Sequence, residues 1–129
     1  MIRVVLDTNV LVSALWSAEG NCAKIISMVF ENLLIPCYDY KILLEYRLVL
    51  NRPKLNFSNN KTKKLLSEIE NRGISVFVKP SSFEMIDESD RKFYDVYTFC
   101  EAFLITGNKK HYPQEPNILD PSDFLYLYP

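Results

Sequence analysis

Three acidic residues, Asp7, Glu45 and Asp90, stand where a small α/β domain would otherwise place apolar side chains. Asp7 closes the apolar run Ile2, Arg3, Val4, Val5, Leu6 and is followed at once by Thr8 and Asn9. Glu45 and Asp90 each fall on the hydrophobic stripe of a helix that the residue spacing predicts. A buried carboxylate is costly unless it is paired, hydrogen-bonded or bound to a cation. Three of them, far apart in sequence but all core-facing or at a strand end, point to one shared site for a divalent metal. Each acid also has a plain structural role open to it. Asp7 suits the N-cap of the following helix. Glu45 can extend outward or pair with Arg47, and Asp90 fits the third position of a capping box headed by Asp87. Capping and metal ligation are compatible, so the constellation outweighs its members.

Helical arithmetic, at about 100° per residue, separates these acids from their neighbours. In a helix predicted over 40–50, Ile42, Tyr46 and Val49 form the inward stripe; Glu45 shares that face and Leu44 points away. In a second, predicted over 88–101, Phe93, Val96, Tyr97 and Cys100 face inward and lead on to Leu104. Asp90 extends that stripe toward the helix start, whereas Asp95 is expected on the opposite, solvated face. Short apolar runs predict strands at 4–6, 33–35, 75–78, 103–106 and 117–119, as in a buried parallel sheet. Further helices are expected over 9–16, 23–30 and 61–71, with a polar loop at 56–60 and a closing helical turn at 121–126. Pro53 stops the 40–50 helix, and Gly73 is expected to cap the 61–71 helix in a left-handed conformation. Strands alternating with helices imply a three-layer α/β/α sandwich around a central, mostly parallel five-stranded sheet. Sites in such sheets gather at the carboxyl ends of strands, and Asp7 and Asn108 both lie just past such ends.

Composition narrows the classes. A chain of 129 residues, 48% hydrophobic and 24% charged, reads as a single globular domain over 1–129. No apolar run reaches the ~20 residues that span a bilayer, and no basic start precedes an apolar signal core, so a cytoplasmic protein with no membrane contact is expected. Cys22, Cys37 and Cys100 lack Cys-x-x-Cys spacing and read as reduced core thiols. With a net charge of −1, any nucleic-acid contact must come from a local basic patch.

Residues Val4 to Leu11 with Asp7, Thr8 and Asn9 at their centre, then Glu45 and Tyr46 ahead of Arg52, Pro53 and Lys54, resemble the PIN-domain nuclease family. So do Asp87, Glu88, Ser89 and Asp90 with Phe93, followed by Phe103 to Asn108. Residues Asn117 to Phe124 look like the family's closing strand and helix. The resemblance covers essentially the whole chain and is nearest to stand-alone prokaryotic PIN proteins classed as toxins of toxin–antitoxin systems (VapC-like). It implies a PIN-like fold and a metal-dependent endoribonuclease, held inactive by a small antitoxin protein and commonly a homodimer. Its acidic positions fall on Asp7, Glu45 and Asp90. The fourth, in a Thr-x-Asp motif, reads Thr106, Gly107, Asn108, so a carboxylate is replaced by an amide. Asn108 still offers a carbonyl oxygen, without charge. Asn9 and Thr106 match positions expected to orient the acids.

The resemblance and the acids agree on a chemistry. Clustered carboxylates repel, and Mg2+ or Mn2+ relieves that cost while favouring oxygen ligands. Such a metal acidifies a water for attack on an RNA phosphodiester and steadies the charge developing there. Asp7 and Asp90 would be the main ligands, Glu45 a ligand or water-orienting group, and Asn108 an auxiliary contact. Arg52, Lys109, Lys110 and His111 are candidates for holding RNA phosphates, although a solvated loop accounts for the last three equally well. Phe124, Tyr126 and Tyr128 fit either internal packing or a partner surface. Two other classes stay open: a catalytically weakened PIN-like module binding RNA or protein, which Asn108 favours, and a phospho-accepting domain using Asp7. The second lacks an acidic pair beside Asp7 and a lysine after a late strand.

Overall fold

The computed structural model describes residues 1–128. The chain opens with strand β1 (Ile2–Leu6), helices α1 (Thr8–Trp16) and α2 (Asn21–Phe30), strand β2 (Leu34–Tyr38) and helix α3 (Tyr40–Leu50). A 3-10 turn at Pro53–Leu55 leads into α4 (Asn59–Arg72) and the short β3 (Ile74–Ser75). After an irregular stretch come a second 3-10 turn at Glu88–Asp90, α5 (Arg91–Cys100) and β4 (Phe103–Ile105). A third such turn, Lys109–His111, precedes β5 (Ile118–Leu119) and α6 (Pro121–Leu127).

The five strands form one sheet in the order β3-β2-β1-β4-β5, and every pair is parallel. Val4, Val5 and Leu6 of the central strand have no exposed surface, as a continuous apolar run covered on both faces requires. Helix α5 packs on β1, β2 and β4, while α2 packs with α1, α4 and α6. Right-handed crossovers between parallel strands put α5 on the face opposite the helices that link β1 to β2 and β2 to β3. The expected α/β/α architecture with a five-stranded sheet is therefore the observed one, and the sheet is parallel throughout. The chain runs outward from β1 to β3 on one side and then restarts at β4 on the other. That switch between β1 and β4 opens a crevice at the carboxyl ends of the two strands.

Several local expectations are corrected. Gly73 does not adopt a left-handed cap: it is extended, with φ −92° and ψ 178°. Its glycine identity answers a close approach instead, since a Cβ there would lie 2.5 Å from both the Ile69 and Pro36 carbonyl oxygens. The left-handed cap belongs to Glu101, with φ 51°, so α5 ends at Cys100. Strand β2 runs through Pro36 and not merely up to it, because β1 pairs as far as Pro36 and β3 takes over from Cys37. Strand β3 is shorter than 75–78, since β2 ends at Tyr38 where Asp39 caps α3. Asp95 is buried, not solvated: it accepts hydrogen bonds from the Ser81 amide (2.9 Å) and hydroxyl (2.6 Å). The stretch after β3 folds back over α5 to make this contact, which helix periodicity alone does not encode.

Candidate active site

Asp7 sits one residue past β1, where its amide extends the ladder by donating to the Ile105 carbonyl at 3.0 Å. It occupies the N-cap position of α1, but its side chain makes no capping bond. Its Oδ2 instead accepts hydrogen bonds from Thr106 Oγ1 at 2.8 Å and Tyr112 Oη at 2.9 Å. All three residues are buried. Burial pushes the Asp7 carboxyl above the ordinary aspartate range; the Thr106 and Tyr112 hydroxyls oppose that shift, and the charge of Glu45 adds to it.

Glu45 reaches the same crevice from the middle of α3. Its Oε2 accepts the Thr8 hydroxyl and its Oε1 lies 2.8 Å from Lys92 Nζ on α5. The pairing is with Lys92 across the site and not with Arg47, which bonds Glu70 on α4 at 2.8 Å. Tyr46, next along α3, is wholly interior and donates its hydroxyl to the Leu6 carbonyl, tying α3 to the end of β1.

Asp90 closes the 3-10 turn ahead of α5, with its amide on the Asp87 carbonyl at 3.1 Å. Its Oδ2 is fully buried and makes no well-aligned hydrogen bond, with His111 Nδ1 3.3 Å away. Burial first, then the charges of Asp7 and Asp87, raise its carboxyl above the ordinary range, and His111 works against them. Tyr112 feels the three acids together: burial, followed by the charges of Asp7, Asp90 and Glu45, makes its hydroxyl far harder to ionise. A protonated phenol that only donates to Asp7 is the result.

Residues after β4 complete the crevice wall. Thr106 Oγ1 accepts the Asn108 amide at 3.0 Å while donating to Asp7. Asn9 was expected to orient an acid; its Oδ1 instead accepts the Gly107 amide at 2.9 Å, so it fixes the loop that carries Thr106 and Asn108. Asn108 is exposed at the lip, followed by Lys109, Lys110 and His111, which are exposed too. Lys109 lies 3.7 Å from Asp123. Arg52 belongs to a separate segment, just beyond the far end of α3. Thr8, Asp87, Lys92 and Tyr112 also meet the site; sequence reasoning held Thr8 only as part of the Asp7 motif and Asp87 only as a helix cap, and did not point to Lys92 or Tyr112. Thr8 had a signal in its position beside Asp7, whereas Tyr112 is a buried aromatic hidden in a turn-rich polar stretch.

Oxygen donors dominate this crevice, two of its carboxyls are harder to ionise than usual, and one buried carboxylate oxygen makes no well-aligned hydrogen bond. Oxygen donors of this kind suit a hard divalent cation, and the donor atoms that lie within 4.8 Å of one another are those of Asp87, Asp90 and His111, without Asp7 or Glu45. Fold and site are those of an α/β domain with an acidic pocket at the switch point of a parallel sheet. Residues 3–110 match the PIN domain, and the chain belongs to that family. An uncharacterized protein of Methanocaldococcus jannaschii is 34% identical over 113 residues, covering 84% of this chain and 72% of that one. No solved structure matches the chain. PIN domains are generally nucleases that use divalent metals, so nucleic acid is the substrate class. No helix among the described residues is long and apolar enough to cross a membrane.

Proposed function

We propose that this chain is an endoribonuclease that hydrolyses RNA phosphodiester bonds with Mg2+ or Mn2+ held by Asp7, Glu45 and Asp90. The observation that carries the reading is the buried Asp90 Oδ2, whose carboxyl feels the charge of Asp7 and shares its raised affinity for a proton. When bound, the cation supplies positive charge for the phosphate oxygens and makes a nearby water more acidic. The chain's own groups do the positioning. Thr106 and Tyr112 seat Asp7, and Thr8 with Lys92 fixes Glu45, which would bind the cation or orient a water. Asn108 offers its amide oxygen at the lip. Lys109 and Lys110 line an adjoining cavity of about 800 Å³ with Tyr112 and Gln114, and they hold the flanking phosphates.

The wider reading is a cytoplasmic, single-domain toxin of a type II toxin–antitoxin system, acting as a homodimer and silenced by a small antitoxin protein. PIN-family membership is what supports it, and a neighbouring small open reading frame would be its cheapest further support. A second reading is favoured by Asn108 and by the Lys92–Glu45 pair, which already neutralises one acid: a weakened PIN-like module that binds RNA or protein without cutting.

The deciding experiment is cleavage of a mixed RNA pool by pure protein with Mn2+, Mg2+ or EDTA, beside Asp90→Asn. Cutting that requires metal and vanishes in the variant is the expected result. A folded protein that binds metal and cuts nothing would replace the nuclease with the binding module.

A further inference from the structure

The amide at Asn108 leaves the pocket short of a charged ligand, and the same loop brings another donor to it. His111 ends the 3-10 turn immediately after Asn108, with its amide on the Asn108 carbonyl at 3.0 Å. The segment is anchored on both sides. Upstream, the Asn108 amide is bound to Thr106 Oγ1; downstream, the Tyr112 hydroxyl is bound to Asp7. His111 is thereby held over the crevice even though its ring is half exposed.

Its Nδ1 lies 3.3 Å from Asp90 Oδ2, an oxygen that makes no well-aligned hydrogen bond. Asp87 joins the same cluster: one donor atom from each of Asp87, Asp90 and His111 lies within 4.8 Å of the other two. One oxygen of Asp87 is occupied by the Ser89 amide (3.0 Å) and hydroxyl (2.8 Å), and the other is free of these bonds. Three donors converge from two segments, and the Asp90 oxygen among them is buried.

We propose that His111, with Asp87, completes the cation-binding set around Asp90 and supplies through Nδ1 the ligand that Asn108 lacks. This rests on the metal-site reading above and deepens it. A nitrogen donor changes selectivity as well as number. Imidazole suits later first-row metals, and affinity rises from Mn2+ through Fe2+ and Co2+, while Mg2+ favours oxygen alone. The site should therefore hold Mn2+ more tightly than Mg2+ and lose that preference without the ring.

His111 is the chain's only histidine, which makes the test unambiguous. Tag-free protein is loaded with Mn2+, and pulsed electron paramagnetic resonance is used to look for coupling to an imidazole nitrogen; free Mn2+ is counted in parallel to obtain affinity. Nitrogen coupling in the wild type, its loss in His111→Ala, and Mn2+ binding about tenfold or more weaker in that variant are expected, the last at least matching what removal of an outer partner of a ligand typically costs. Circular dichroism verifies that His111→Ala is folded, as an exposed ring allows. Tight Mn2+ binding that depends on Asp90 but shows no nitrogen coupling would overturn the role of His111 while leaving the metal site intact. No Mn2+ binding by the folded wild type would overturn both.

Discussion

Asp7 is seated by two hydroxyls, deprived of water and placed beside other acids, and these influences have opposite signs. Burial is the largest and wins, so the folded carboxyl binds its proton more tightly than the unfolded one. A group of that kind stabilises the fold fully below its unfolded pKa and loses the contribution as pH rises through the folded value. At neutral pH without metal, ionised Asp7 therefore works against folding. Asp7→Asn, which keeps an oxygen for Thr106 and Tyr112, is expected to be at least as stable as the wild type in EDTA at pH 7.5. That advantage shrinks as the pH falls toward the ordinary aspartate range, and added Mg2+ or Mn2+ raises the melting temperature of the wild type alone. Thermal melts across pH with and without metal test this; a wild type more stable than the variant in EDTA at every pH would refute it. Asp7, Glu45 and Asp90 were legible as candidates because each interrupts an apolar run or stripe. Lys92 and Tyr112 were not, because a lysine on a helix rim and an aromatic in a turn-rich stretch carry no period that ties them to the acids, and only the fold shows that they meet.

At the level of elements, one-face patterns translated well into structure and non-local contacts did not. Helix α3 runs from Tyr40 to Leu50 as its stripe and Pro53 predict, and the α5 stripe is buried as read. Gly73 misled because a glycine after a helix signals either a left-handed turn or a tight approach. Only the position of the Pro36 carbonyl on β2 decides between them. Gly73→Ala should therefore push α4 away from β2, costing about 1–3 kcal/mol as overpacking does and lowering Tm by several degrees. A variant that melts with the wild type would show that the two backbones separate without strain. Asp95 misled for the same kind of reason: its partner, Ser81, comes from a stretch with no regular structure between β3 and α5.

For the molecule as a whole, net charge is nearly balanced at −1, so attraction for a polyanion must be local. Lys109 and Lys110, exposed beside the acidic crevice, are the residues placed to provide it. Replacing either with alanine should weaken RNA binding similarly for all sequences. It should also flatten the dependence of log K on log salt by roughly 0.7 for each single-strand phosphate left without its lysine. Binding measured with catalysis blocked by EDTA gives the slopes directly, and an unchanged slope would move the RNA track elsewhere. The strand order has a consequence in time as well as in space. β1 is first in the chain, but the neighbour that completes the site is β4, and the hydroxyls that seat Asp7 follow it by 99 and 105 residues. A chain emerging from a ribosome carries its first carboxylate long before anything can hold it in place. The centre exists only once β4 and the turn after it have been laid beside β1, so a partly synthesised chain carries no assembled site.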